Sequence, residues 1–468
     1  MLKVILFIIY ISLILAVIFV ERKRPTEALL WVLVLICLPY VGAILYLIFG
    51  STTAIKVTSA LRNRRLKNRI KVMPEQADET VSAEHVSEED QQVIRFNSVY
   101  NKSILTTYDD LQFYTVGTEH YKALFTDIKN AEECIYIEFY SIHHDCVGEA
   151  LVQYLTEKAK QGVKVMVMCD FVASFMTPNK MFRPLREAGG QVIRIKPYLT
   201  HYRSHRKIVI IDHAISYIGG MNIGKQYANM HKKKNPWRDT QVRLTGACCQ
   251  QLEDYFLTDW ICAVKKKNWE ETVEYVGDLK RPAYSHTGRL CQFIIGGVDN
   301  DRESVKMCYL SMIRSAKKRI RIQSPYFIPD SSILDALKTA AASGVKIELM
   351  TPAVESSFFL EPVTRYYTGQ ILQFNAEVYH YHGYVHAKTM CIDDELCCVG
   401  SVNMDMRSLM VDDEVCGVFY PNAVVNEYNR IYDEDIKDCD RYTWQMFENR
   451  STMDKIKESI YLPFASLM

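Results

Sequence analysis

The chain has almost no excess of charge. Its 468 residues carry 56 Lys and Arg against 55 Asp and Glu, a formal net charge of +1. No global basic field points to nucleic acid as a partner. It also lacks any Cys-x-x-Cys pair or regular metal-ligand spacing, although it has 14 cysteines. Cys248-Cys249 and Cys397-Cys398 are adjacent pairs, poorly placed for ordinary disulfides. Most other cysteines sit in apolar runs, where a reduced core thiol is the default. A reducing compartment follows for the globular part. Length alone allows two to four domains.

Two stretches lack charge altogether: Val4 to Val20 and Ala28 to Phe49. A hydrocarbon core needs about 20 residues of helix, so the second run spans comfortably and the first just does. A cleavable signal peptide is the alternative for the first run. No small-x-small site precedes Glu21, and a second span follows at once. Residues 1–50 therefore read as a two-helix transmembrane hairpin, with Pro39 and Gly42 tolerable in lipid. The turn carries Arg22, Lys23 and Arg24. The segment after the second run carries Lys56, Arg62, Arg64, Arg65, Lys67, Arg69 and Lys71, with no acid before Glu75. The positive-inside rule puts the rest of the chain on the cytoplasmic side of the cell membrane. The same basic segment could lie on anionic headgroups. Glu75 to Asp90 is acidic and reads as solvated, so residues 51–110 are expected to be a juxtamembrane linker.

Against this background one pattern stands out. His205-Arg206-Lys207 runs to Asp212, and His386-Ala387-Lys388 runs to Asp393, both as His-x-Lys-x-x-x-x-Asp. Each leads into a small-residue turn with an Asn: Gly219-Gly220-Met221-Asn222 and Gly400-Ser401-Val402-Asn403. Five positions share one offset, which is hard to reach by chance. On a strand, His205, Lys207 and Val209 share a face. A His and a Lys side by side repel if both are charged, and an anion between them relieves that. Lys supplies a fixed charge, His a proton that moves near neutral pH, and Asn222 and Asn403 neutral donors. This is chemistry for a phosphate ester. Two copies brought together give one imidazole to attack and one to protonate the leaving oxygen. Asp212 and Asp393, seven residues past their His, face the other side of a strand and are expected to brace the site from behind.

The surrounding elements repeat as well. Ile135 to Tyr140 reads as a strand, Gly148 to Gln161 as a helix, Gly162 to Met168 and Val192 to Ile195 as strands. In the second half Ile320 to Phe327, Ser332 to Ser343, Gly344 to Met350 and Ala376 to His380 follow in the same order. This predicts α/β layers with a largely parallel sheet in each half. The first lobe is expected over 111–280 and the second over 281–468. The tail from Glu427 reads as helical, packed by Trp444, Tyr461, Leu462 and Phe464.

These residues resemble the phospholipase D superfamily, whose mark is the doubled His-x-Lys-x4-Asp motif. Within it the chain is similar to bacterial cardiolipin synthases, over nearly its whole length. The resemblance includes Glu21-Arg22-Lys23-Arg24-Pro25, Leu38-Pro39-Tyr40-Val41-Gly42, Trp237-Arg238-Asp239-Thr240, Ser324-Pro325-Tyr326-Phe327-Ile328-Pro329-Asp330 and Gly400 to Ser408. One departure is Asp412, where such sequences commonly have Asn. Glu414 nearby keeps its place.

The resemblance implies two similar α-β-α lobes about a pseudo-twofold axis, with one site where the motifs meet. It implies a phosphohistidine on the way from two phosphatidylglycerols to cardiolipin and glycerol. His205 is the expected nucleophile, by analogy, and His386 the acid and base. Lys207, Lys388, Asn222 and Asn403 would hold the phosphate oxygens. By family position, Asp239 and Glu414 would orient the imidazoles. No metal or other cofactor is required, and a hydrolytic phospholipase D remains the alternative. His143-His144-Asp145 reads as a polar loop in preference to a metal site. Phe171, Phe175, Met176 and Phe358, Phe359, Leu360 follow equivalent strands. They could meet lipid, line an acyl channel or pack inward as helix cores. Lys232-Lys233-Lys234 reads as a solvated loop or a headgroup contact.

Overall fold

The computed structural model describes residues 2–20, 25–51, 57, 60, 86–196, 202–230, 236–265, 268–277, 279, 288–297, 303–353, 357–421 and 423–468. The basic turn Arg22–Arg24, the basic residues from Lys56 to Lys71, Glu75 to Glu84 and the Lys232–Lys234 run lie outside these.

Helical backbone runs from Leu2 to Leu15 and continues as a π-helix over Ala16–Val20. The second apolar run is divided. Pro25–Cys37 stops at Leu38, and Pro39–Leu45 restarts before a π-helix over Tyr46–Gly50. Pro39 has no N–H to continue the ladder and sits at the start of its own helix, where that costs nothing. Among the described residues no helix is long and apolar enough to cross a membrane. The segments pack through Val17, Trp31, Leu35 and Tyr46.

The expected linker is partly folded. Ser87 accepts from the Asp90 amide and caps the helix Glu88–Val99, whose Val93 and Ile94 bury in the core of the second lobe. Strand β1 (Thr106–Tyr108) then joins the edge of the second sheet. The acids at 88–90 are therefore the first turn of a packed helix, a favourable place for negative charge.

The first sheet comprises β2 (Leu111–Tyr114), β3 (Cys134–Phe139), β4 (Lys164–Asp170), β5 (Gln191–Ile195), β6 (Lys207–Ile211), β7 (Ile215–Gly219) and, after the short β8 (Trp237–Arg238), β9 (Gln241–Thr245). Its order is β2-β9-β7-β6-β3-β4-β5. The second comprises β10 (Arg289–Ile295), β11 (Arg319–Gln323), β13 (Lys346–Pro352), β14 (Glu377–Tyr381), β16 (Thr389–Ile392), β17 (Leu396–Gly400), β19 (Val415–Phe419) and β20 (Cys439–Tyr442). Three two-residue strands lie outside it: β12 (Phe327–Ile328), β15 (Tyr384–Val385) and β18 (Met404–Asp405). Its order, β1-β10-β19-β17-β16-β11-β13-β14-β20, repeats the first sheet with one strand added at each edge.

Both sheets are mixed, not largely parallel. Only β3-β4-β5 and β11-β13-β14 are parallel. The tight turns Asp212–Ala214 and Asp393–Glu395 make hairpins of β6-β7 and β16-β17, and hairpins are antiparallel. The crossover helices are built alike. Asp145 caps Cys146–Lys160 and Asp330 caps Ser331–Ala342. Gly162 and Gly344 end these turns at φ +92° and +94°, where a side chain would be strained. The tail is not wholly helical, because β20 pairs with β14.

The lobes share one core. Phe256 and Trp260 of the helix Cys248–Ala263 pack in one buried cluster with Ile208 and Val242 of the first sheet and Val399 and Phe419 of the second. Burial on this scale, at about 25 cal/mol per Å² of apolar surface, makes independent movement of the lobes costly.

Candidate active site

His205 lies just before β6 and His386 just before β16, in extended segments, not within the strands. Each segment is clipped to the opposite lobe. The His205 amide donates to the Asp413 carbonyl at 2.8 Å, beside a bridge between Ser204 and Asp413. The His386 amide donates to the Arg238 carbonyl at 2.6 Å, continuing the parallel pair β8-β15.

The side chains cross over in the same way. His205 Nδ1 lies 2.9 and 3.0 Å from the Glu414 oxygens. His386 Nδ1 lies 2.6 Å from Asp239 Oδ2. Each imidazole thus takes its carboxylate from the other lobe, and each is left with Nε2 for chemistry. Lys207 Nζ donates to the His205 carbonyl at 2.6 Å, and Lys388 Nζ to that of His386. Arg238 anchors the first-lobe segment to Asp435 at 2.6 and 2.9 Å. Arg206 ties to the Glu414 carbonyl, to Gly296 and to Asp259.

The electrostatics follow from burial among like charges. Burial, Lys207 and Lys388 together hold the His205 pKa well below its usual value. His386 is lowered to about 3 by burial and Lys388, against the pull of Asp239. Burial lowers Lys207 to about 7 and Lys388 to about 8. Each histidine feels both lysines, so the two motifs form one electrostatic unit. Burial alone would raise Asp239, but His386 and Lys388 outweigh it and hold it below the ordinary carboxylate range. Glu414 is pushed up to about 7 by burial. Burial therefore favours the deprotonated forms of the histidines and lysines, and an anion placed among them would favour the protonated ones.

The other motif residues stand elsewhere. Asp212 accepts from the amides of Glu132, Glu133 and Cys134, and Asp393 from those of Lys317, Lys318 and Arg319. They sit at the far ends of β6 and β16, at φ +50° and +52°, and hold the starts of β3 and β11. Counted among the catalytic residues, they do not reach the histidines, because four or five strand residues at about 3.3 Å each intervene. Asn222 accepts from the Ser141 amide and donates to the Tyr227 hydroxyl. Asn403 Oδ1 is buried without a hydrogen-bond partner among the described residues.

Aromatic rings complete the walls, a role the doubled motif does not announce. Tyr140 meets the His205 ring edge-on at 4.7 Å, with Lys207 Nζ 5.3 Å from its centroid. Trp237, Tyr384 and Tyr227 lie 5.1, 5.9 and 6.0 Å from the His386 ring. For Tyr140, Trp237 and Tyr384, a place in or beside the strands flanking each motif was the available signal; Tyr227 lies in a turn. Asp412 accepts from the Arg203 amide and pairs with Arg407 at 2.9 Å. Of the polar loop at 143–145, Asp145 caps a helix and accepts from the Lys225 amide, and His144 pairs with Glu149 at 3.2 Å.

The chain is similar to known proteins along nearly its whole length. The family described as cardiolipin synthase, PLD-like domain, matches residues 124–260 and 309–436. Residues 7–51 match a phospholipase D-nuclease N-terminal family. A cardiolipin synthase of Oceanobacillus iheyensis is 33% identical over 468 residues, 97% of this chain and 96% of the relative. The major cardiolipin synthase of Bacillus subtilis is 32% identical, with the same coverage of both. The crystal structure of a phosphatidylserine synthase from Haemophilus influenzae superposes with a TM-score of 0.60 at 13% identity. It covers 80% of this chain and 97% of that one, a likeness of fold.

Proposed function

The chain belongs to the phospholipase D-like cardiolipin synthase family, and from this premise we propose that it joins two phosphatidylglycerols into cardiolipin. The phosphodiester of the first lipid enters between the imidazoles. Its negative charge offsets the burial that keeps Lys207, Lys388 and His386 short of protons. His205 Nε2 attacks phosphorus and forms the N–P bond. The P–O bond to glycerol breaks, and His386 Nε2–H gives its proton to the departing oxygen. The terminal hydroxyl of a second phosphatidylglycerol then loses its proton to the neutral His386. Its oxygen attacks phosphorus, the N–P bond breaks, and His205 is free again. Lys207, Lys388 and the Asn403 side chain carry the charge of the non-bridging oxygens. Asp239 and Glu414 steady the imidazolium forms through Nδ1.

The crossed His–carboxylate pairs carry this reading, because they join two distant repeats into one centre. The lobes are taken as related by a pseudo-twofold axis, supported by the repeated strand order. The N-terminal segments are taken as a two-span hairpin with the lobes on the cytoplasmic side. The charge-free runs Val4 to Val20 and Ala28 to Phe49, both helical apart from Leu38, support the hairpin. Purified enzyme fed labelled phosphatidylglycerol should yield cardiolipin and glycerol, and His386→Ala should abolish both. Phosphatidic acid as the accumulating product would replace transfer with hydrolysis.

A further inference from the structure

The helix Thr452–Tyr461 is mounted with its polar face inward. Glu458, only 3% exposed, lies against Arg365 at 3.0 Å and Arg450 at 2.9 Å. Asp454 on the same face meets Arg365 at 3.1 Å. The apolar positions point the other way. Met453, Ile456, Ile460 and Phe464 are 60%, 47%, 56% and 40% exposed. They recur at three- and four-residue spacing and so form one stripe along the helix and the 3-10 turn after it. A surface helix ordinarily buries such a stripe. Three carboxylate–guanidinium contacts fix this one outward.

The stripe does not end with the helix. Tyr461 packs on Phe359 at 5.3 Å and on Phe358 at 6.4 Å, and these two rings are 47% and 67% exposed. They belong to the loop that follows β13. That strand ends beside β11 at the edge where β16 starts, which is the edge carrying Lys388. The last residues turn back to the site as well. The Met468 carbonyl accepts from the Arg407 amide, and Ala465 packs near Met406, just past Asn403. The terminal helix and the Phe358–Phe359 pair thus share one exposed apolar surface, and the end of the chain packs beside residues just past Asn403.

We propose that this surface lies in the interfacial region of an anionic bilayer and holds the mouth of the site against the leaflet that supplies its lipid. Exposed Lys455 and Lys457 accompany the stripe, and long cationic side chains beside exposed apolar ones suit phosphate headgroups above acyl chains. A second copy of the chain would offer the same lysines to themselves. The proposal rests on the reading of the substrate as a membrane lipid. It adds a contact made by the folded body, separate from the N-terminal segments. Phe175 and Met176, 70% and 86% exposed after β4, occupy the equivalent place in the first lobe.

The test uses the full chain reconstituted in phosphatidylglycerol vesicles. In an Ile456→Trp variant, brominated phosphatidylglycerol should quench the added indole relative to the parent protein. A double variant, Ile456→Glu with Ile460→Glu, should lose cardiolipin formation on bilayers by roughly tenfold or more. Its activity on monomeric short-chain phosphatidylglycerol should stay within about twofold of the parent, since the catalytic groups are untouched. Ser459→Glu, exposed off the stripe, should behave as the parent on both substrates. An unquenched indole, or equal loss on bilayer and monomeric lipid, overturns the proposal. So does a detergent-solubilised dimer that the double variant disperses, because the stripe then faces a second copy. If the double variant fails to fold, quenching of the Ile456→Trp protein decides alone. If the parent makes no cardiolipin on either substrate, the functional reading fails while the quenching still reports on the surface.

Discussion

Around His386 the first lobe supplies Asp239, which accepts from the Thr240 amide at 2.7 Å and lies against Gly220. A Cβ on Gly220 would stand 2.0 Å from the Asp239 oxygen, so only glycine admits that carboxylate. Around His205 the second lobe supplies Glu414, and the residue matching Gly220 is Ser401, whose hydroxyl donates to it. Asp239 is held below the ordinary carboxylate range and Glu414 is raised to about 7. The walls differ too, with three aromatic rings about His386 and Tyr140 about His205. A duplicated scaffold has placed two imidazoles alike and then given them unequal partners. That suits unequal tasks: a fully ionised partner favours the imidazole that must hold and release a proton.

The largest effects should come from the histidines. His205→Ala and His386→Ala should each lower cardiolipin synthesis by about 10³-fold or more. They should part company on a phosphatidyl ester of p-nitrophenol, which leaves without a proton. His386→Ala should still release nitrophenol in a burst, and His205→Ala should not. The opposite pattern would exchange the two roles.

Next come the crossed carboxylates. Asp239→Asn should cost roughly 10² to 10⁴ in turnover, through loss of tautomer and imidazolium support. Glu414→Gln should cost less, because burial already pushes Glu414 towards its neutral form. Equal losses of turnover in the two variants would remove the asymmetry.

A third prediction concerns pH. Lys207 near 7 and Lys388 near 8 are cationic below those values and neutral above them. Inorganic phosphate should therefore bind tightest near pH 6 and weaken as pH rises through 7 and 8, with proton uptake seen by calorimetry in two buffers. Affinity unchanged across that window would mean that the lysines do not titrate there.

Smaller effects belong to the residues that hold the scaffold. Asp212→Ala and Asp393→Ala each strip an acceptor from three backbone amides. Each should cost about 1 to 3 kcal/mol of stability in thermal unfolding, with near-normal activity in the folded fraction. Asp412→Asn should change turnover only a few-fold, since the amide can still accept from the Arg203 backbone while losing the Arg407 ion pair.

Much of this was legible in the chain. The doubled motif located both histidines and both lysines, and the repeat order located the crossover helices to within two residues. Local patterning of apolar residues sufficed there, although the caps Asp145 and Asp330, which start these helices at Cys146 and Ser331, were not read from the sequence. What failed to show in the sequence was long-range. Nothing local says that β1 leaves its neighbours for the second sheet, that Glu88–Val99 packs on the second lobe, or that β20 closes an edge. The crossed pairing of His205 with Glu414 and His386 with Asp239 depends on how the lobes meet. The hairpins that make the sheets mixed were hidden because a three-residue turn and a longer crossover leave similar apolar strands behind. Of the expected tail contacts, Trp444, Tyr461 and Leu462 pack inward while Phe464 is exposed.

The central claim is that one phosphodiester passes through a covalent bond to His205 while His386 manages the protons. Enzyme mixed with phosphatidylglycerol labelled at phosphorus, quenched in base and digested, maps that bond directly. The account expects label on the peptide containing His205 in the parent protein and none in His205→Ala. Label on the His386 peptide, or cardiolipin formed with no labelled histidine, would contradict it.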